Sequence, residues 1–134
     1  MKKISVVIFC LAVLSFSLSS FVSRSMGDWP VPDKNKKMAN PVKSDAASIA
    51  EGKSIYNKHC SSCHGKAGHG DGSKAAQLKT DPGDFSSADF QQQTDGALFY
   101  KTITGRDDMP SFKKKIPDAN DVWKVINYLR TFKK

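Results

Sequence analysis

The chain has 134 residues, 39% hydrophobic and 25% charged, with 9 Gly, 6 Pro and 3 Cys. That length suits one domain at most, with no room for a second catalytic domain or a repeat array. The composition excludes a collagen-like or wholly disordered chain, and so few cysteines exclude a disulfide scaffold. The formal charge of +8 favours acidic partners, nucleic acid or anionic lipid without choosing among them.

Met1-Lys2-Lys3 is a basic start, and Ile4 to Val22 follows without a charge. This is the layout of a secretory signal, so residues 1–25 are expected to direct export, either as a cleaved signal or as a retained N-terminal membrane anchor. The apolar stretch, at ~1.5 Å per residue, reaches roughly 28 Å against a hydrocarbon core of ~30 Å. Ser5, Ser15, Ser17, Ser19 and Ser20 dilute it as a permanent span, and Ser23-Arg24-Ser25 is the nearest substitute for an A-x-A exit. Cys10 reads as apolar filling. A buried cytosolic helix fits the charge layout poorly.

Residues 26–44 read as a linker, because Pro30, Pro32 and Pro41 interrupt helices and Lys34, Lys36, Lys37 and Lys43 keep the segment solvated. Trp29 either packs on the domain or sits at a membrane interface. The globular part, 45–134, shows three helical segments. Ser48 to Glu51 fits a capping box opening the first, with Ile49, Gly52, Ile55 and Tyr56 on one face. The second starts at Thr94 or Asp95, carries Leu98, Phe99, Thr102 and Ile103, and stops at Gly105. The third takes Asp118 as N-cap and has an apolar stripe of Val122, Val125, Ile126, Leu129 and Phe132. No alternating strand pattern is present. The class is all-α.

Cys60-Ser61-Ser62-Cys63-His64 is C-x-x-C-H, the attachment sequence of covalent c-type haem. On a helical turn, residues three apart share a side. Both thiols can then add to the vinyl groups on one porphyrin edge, and His64 can face the iron. A zinc site would need two further ligands. A thioredoxin-like pair would need a βαβ context, and a Cys60–Cys63 disulfide leaves His64 unexplained. One haem, covalent through Cys60 and Cys63, is the expected cofactor.

Met109 is the candidate for the sixth iron ligand, since Met1, Met26 and Met38 fall in the signal or linker. Its loop, Gly105 to Phe112, is polar and has Pro110 after the sulfur. The competing role is a methionine filling a core gap. His59 adjoins Cys60 and cannot reach the opposite haem face. His69 belongs to a glycine-rich turn, Gly65 to Gly72, expected to wrap the haem edge with His69 at the surface.

Residues from about Gly52 to Phe132 resemble a class I c-type cytochrome of the bacterial periplasmic, mono-haem kind. The matching features are Gly52 and Tyr56, the Cys60–His64 motif, the Gly68-His69-Gly70-Asp71-Gly72 loop, the Gly105 to Pro110 loop, and the Trp123…Tyr128-Leu129 helix. The resemblance implies a small fold of three to five helices around the haem, with first and last helices crossing at Gly52 and Tyr56. It also implies a Pro carbonyl accepting from the proximal His, for which Pro82 is the candidate; a plain turn at Pro82-Gly83 is the other possibility.

Iron held by His64 and Met109 has no vacant position, so electron transfer, not catalysis, is the expected function. The thioether favours the ferrous state. An apolar shell of Ile55, Leu78, Phe85, Phe99, Ile103, Phe112 and Leu129 is expected to exclude water. Lys113-Lys114-Lys115, close to Met109, either steers an acidic redox partner or is an ordinary solvated run. No motif supports nucleic acid. A periplasmic monomer is expected, tethered through residues 4–22 if the signal is retained. The alternatives are a haem-bearing subunit of a larger oxidoreductase, and a haem enzyme or ligand sensor.

Overall fold

The computed structural model describes residues 29–134, so the export or anchor segment 1–25, with Cys10, lies outside the described residues. The elements in chain order are α1 (Asp33–Lys36), α2 (Ala46–His59), α3 (Ser61–His64), a 3-10 turn (Ala75–Gln77), α4 (Ala88–Gln91), α5 (Asp95–Thr104) and α6 (Ala119–Arg130). Among the described residues the class is all-α, and the one β-type pairing is an isolated bridge between Arg106 and Met109. The helix number exceeds the expected three to five because α1, α3 and α4 are single turns. A four-residue helix is too short to leave a periodic apolar signal.

Helix α5 begins at Thr94, whose side chain accepts from the Ala97 N–H, and ends at Gly105. Helix α6 begins at Asp118, which caps the Asn120 N–H. Both starts were legible. The start of α2 was not. Its N-cap is Asp45, whose carboxylate accepts from the Ser48 N–H at 2.9 Å while the Ser48 hydroxyl accepts from the Asp45 N–H at 3.1 Å. Ser48 is therefore the third residue of the box and not its cap; Asp45 is the stronger acceptor and takes the outer place.

The segment expected as a linker is packed against the helices from Trp29 onward. Val31 is buried, and the chain crosses α5 at Gly96, where any Cβ would collide with the Asn35 carbonyl. Asn40 then donates to the Asn127 side chain at 2.8 Å and to the Trp123 carbonyl at 3.3 Å. The Asn127 amide in turn donates to the Val42 and Lys43 carbonyls and to Ser48. These long-range bonds give a proline- and lysine-rich strap a fixed place. Composition reports only that it makes a poor helix.

The core lies where α2 crosses α6. Tyr56, Val122 and Ile126 are fully buried, each such side chain contributing ~1.5–3 kcal/mol by leaving water. Tyr56 meets Tyr128 and Phe132 edge-on, with ring centroids 5.3 and 5.6 Å apart. Phe99 stacks on Trp123 at 4.2 Å and ties α5 to α6. At the far end, Arg130 donates to Asp95 and to the Gln91 and Gln93 carbonyls, which fixes the α4–α5 connection on α6.

The crossing depends on Gly52. A Cβ there would fall on the Lys124 carbonyl, with the Val125 nitrogen 3.1 Å away, and backbone cannot step aside as a flexible side chain can. Gly52→Ala should therefore lower unfolding stability by roughly 3 kcal/mol, the upper end of an overpacking cost, in a denaturant titration. A change below about 0.5 kcal/mol, the size of an ordinary surface substitution, would show that the two helices do not meet at this glycine.

Candidate functional site

Cys60 ends α2 and begins α3. Its carbonyl accepts from the Cys63 N–H at 3.1 Å and the His64 N–H at 3.0 Å. One turn of helix thus sets Cys60, Cys63 and His64 in the wall of a single cavity. Short helices leave their last carbonyls without partners, and here the glycine-rich loop supplies them. Gly70 donates to the His64 carbonyl at 2.9 Å, Gly72 to Cys63 at 3.2 Å and Lys74 to Ser62 at 2.8 Å. Gly72 is required by this closeness, since a Cβ would strike the Ser62 carbonyl. Tyr56 donates its hydroxyl to the Gly65 carbonyl at 2.7 Å, so the α2–α6 core holds the end of the motif directly.

The cavity has a volume of about 620 Å³, within the ~300–1,000 Å³ usual for cofactor sites. Pro82 and Met109 line it too, so all five residues singled out from the sequence converge there from three separate stretches. The expected apolar shell is met in part. Leu78, Phe85, Phe112 and Leu129 line the cavity, together with Phe90, Leu98 and Val125. Ile55 and Ile103 instead pack against the core cluster, and Phe99 is committed to Trp123. Helical spacing identifies a buried face but not what that face meets. Phe90 carried no sequence signal beyond being aromatic, while Trp29, expected either on the domain or at a membrane interface, also lines the cavity.

His64 is packed face to face with Phe85, ring centroids 4.4 Å apart and 27° between planes. Burial pushes its pKa down to about 4, partly offset by the Pro82 backbone carbonyl. The carbonyl acts on the ring, yet Nδ1 is buried without a partner in full hydrogen-bond geometry. The imidazole is therefore held neutral, the form with a lone pair for a metal. Burial, with the neighbouring Cys63, pushes the Cys60 thiol up to about 12. That suits a protonated thiol. Among the described residues no cluster of three His, Cys, Asp or Glu could hold a metal ion.

Across the cavity, the Met109 loop closes on itself. Arg106 and Met109 exchange backbone hydrogen bonds of 2.8 and 2.9 Å around the two-residue turn Asp107-Asp108. Asp107 has φ 50°, a left-handed conformation that Asp tolerates better than most residues. Ser111 and Phe112 then bond back to the Ile103 and Thr102 carbonyls of α5. At the tip, the Asp108 carboxylate accepts from the Lys79 N–H at 2.7 Å and from the Thr80 N–H at 3.0 Å and hydroxyl at 3.3 Å. The Thr80 and Lys79 donors hold its carboxyl below the usual range.

Of the remaining histidines, His59 lines the cavity and His69 lies at the surface, as expected for the latter. His69 is exposed and pairs with Asp84 at 3.0 Å. His59 follows Lys58 on the rim, its ring edge-on to Phe112 at 6.3 Å. The rim is basic: Lys58, Lys74, Lys101, Arg106 and Lys115 line it against Asp81, Asp107 and Asp108. Lys101 and Arg106 flank the Trp29 ring at 5.5 and 4.6 Å, so the strap ends over the cavity mouth.

A haem fits this donor set: two thiols one turn apart, a neutral buried imidazole, a thioether, and an apolar wall between them. The family described as cytochrome C oxidase, cbb3-type, subunit III matches residues 47–129, more than half of the chain. No curated protein matches. Among solved structures, a chain of the Kuenenia stuttgartiensis reducing HAO-like protein complex is similar at TM-score 0.64 and 25% identity, over 81% of this chain and 53% of that one. This chain thus spans about half the length of that relative. A c-type cytochrome is similar at TM-score 0.53 and 25% identity, over 62% of this chain and 98% of the other. Its fold is a small all-α cytochrome c fold, of the kind that carries electrons on a covalently bound c-type haem. By its matched domain, the chain belongs to the cytochrome c family described as cytochrome c oxidase, cbb3-type, subunit III.

Proposed function

We propose that the chain is a one-electron carrier with a single haem attached through Cys60 and Cys63, His64 and Met109 as axial ligands, and the Pro82 carbonyl orienting His64. The observation that carries this reading is the convergence of the C-x-x-C-H turn, Pro82 and Met109 on one cavity. When bound, a c-type haem supplies the transfer of one electron at a time, its iron alternating between ferric and ferrous.

The protein's own residues set the conditions for that exchange. Burial keeps His64 neutral to about pH 4, so the ligating form persists through the physiological range. The Met109 thioether favours the ferrous form and fills the position a substrate would need. Phe85, Phe90, Leu98, Phe112 and Leu129 keep water from the cavity wall, which penalises any charge left uncompensated there. Catalysis would need an open position, and Met109 closes it.

The basic rim supports docking of a redox protein with an acidic surface. Lys113 and Lys114 extend it, both exposed beside Lys115. The N-terminal layout supports export to a periplasm, with the protein acting as a monomer, tethered if residues 4–22 are retained. A second reading has its own support: the family is described as an oxidase subunit, and one similar structure is a chain of a complex. In that reading the same haem serves as a relay within an assembly. Isolation from native membranes separates the two, since a subunit co-purifies with its complex and a carrier elutes alone.

The direct test is absorption of the holoprotein, oxidised and reduced, beside Met109→Ala. Wild type should show low-spin c-type bands and the weak charge-transfer band of an iron–thioether bond, and the variant should lose that band. A high-spin wild type, or an unchanged variant, would overturn the ligand assignment. His64→Ala should give little or no stable holoprotein, and Cys60→Ala or Cys63→Ala should weaken haem retention. The electron-transfer rate with an acidic partner should fall as salt rises. Replacing Lys113, Lys114 and Lys115 by Glu should lower it about tenfold at low salt and flatten that dependence.

A further inference from the structure

The Met109 loop is anchored on one side by its own backbone. The Arg106–Met109 pair closes the turn, and the Ser111 and Phe112 bonds fix its base to α5. None of these bonds reaches the segment that leads into Pro82. The Asp108 carboxylate does: the residue before Met109 bonds to the backbone of Lys79 and Thr80, 29 and 28 residues earlier in the chain. Two residues beyond Thr80 stands Pro82, whose carbonyl acts on His64.

We propose that Asp108 is a positioning residue, a latch that ties the Met109 loop to the segment leading into Pro82 and so keeps the Met109 sulfur on the iron. The inference rests on the His64/Met109 reading of the site. One carboxylate oxygen gathers all three bonds, and an ionised acceptor makes hydrogen bonds about twice as strong as a neutral one. Without it the loop keeps its turn and its base on α5, but its tip is free to swing outward and carry Met109 with it. The neighbouring Asp107 makes a useful contrast. It carries the same charge one residue further from Met109 along the loop, and it pairs with Arg106 at 3.3 Å, within that loop.

Carbon monoxide tests the latch, because it binds ferrous haem only when the sixth ligand leaves. In the reduced holoprotein, Asp108→Ala should bind carbon monoxide at least about tenfold faster than wild type, the factor expected for loss of a charged hydrogen bond. It should also lose the iron–thioether charge-transfer band at a lower temperature. Asp108→Asn, which keeps a neutral acceptor and disturbs folding less, should lie between the two. Asp107→Asn, which removes the same charge, should stay at the wild-type rate. If wild type lacks the thioether band, the ligand reading itself fails. If wild type has the band and both Asp108 variants bind carbon monoxide at its rate, the latch alone is overturned. If Asp107→Asn accelerates binding as much as Asp108→Asn, local charge and not the bonds to Lys79 and Thr80 is responsible, and the latch is again overturned.

Discussion

The contact between α2 and α6 at Gly52 is the constraint from which the rest of the molecule is built. Without a side chain at that position, the backbones of the two helices touch, the Lys124 carbonyl occupying the space a Cβ would need. Tyr56 is one turn further along the same face, fully buried between Tyr128 and Phe132. Its hydroxyl reaches the Gly65 carbonyl at the end of the C-x-x-C-H turn. The depth of the helix crossing therefore sets the position of His64. Any change that lifts α2 from α6 is felt at the thiols and the imidazole before it is felt at the surface.

The two faces of the cavity are held in different ways. On the His64 side, three backbone bonds from the glycine-rich loop, the Tyr56 hydroxyl and the Phe85 ring all converge on four residues. Phe85 itself is stacked on Phe90 at 4.4 Å, and its own N–H bonds to the Gly68 carbonyl at 2.7 Å. The Met109 side is a short turn with one carboxylate bonded to the Lys79 and Thr80 backbone. Local opening starts where buried apolar contacts are few and hydrogen bonds are exposed to solvent, which describes the Met109 loop and not the C-x-x-C-H turn.

The sequence was most informative where chemistry is local. The C-x-x-C-H spacing, the Thr94 and Asp118 caps and the apolar stripe of α6 each depend on residues three or four apart, and the structure has them in place. It was least informative where the deciding partner is far along the chain. The strap from Trp29 to Val42 reads as linker because its prolines and lysines dominate locally, while Asn40 finds its partner 87 residues away. Ile55, Phe99 and Ile103 sit on apolar faces as the periodicity requires, but those faces meet the protein core. Phe90 and Leu98 reach the cavity from segments whose orientation only the tertiary packing decides.

The strap also bears on how the cavity meets its surroundings. It ends with Trp29 lying over Lys101 and Arg106 at the cavity mouth. A ring in that position covers part of the rim with apolar surface and draws two cations toward it, at a contribution of ~0.5–1 kcal/mol for each exposed cation–π pair. The mouth is thereby divided. On the Trp29 side the cations are occupied by the chain's own aromatic ring. On the other side Lys113 and Lys114 are exposed, and Lys115 lies over the Phe112 ring at 5.5 Å. The lysine triplet follows the Met109 loop directly, so the loop that Asp108 ties to Lys79 and Thr80 borders a run of exposed cations.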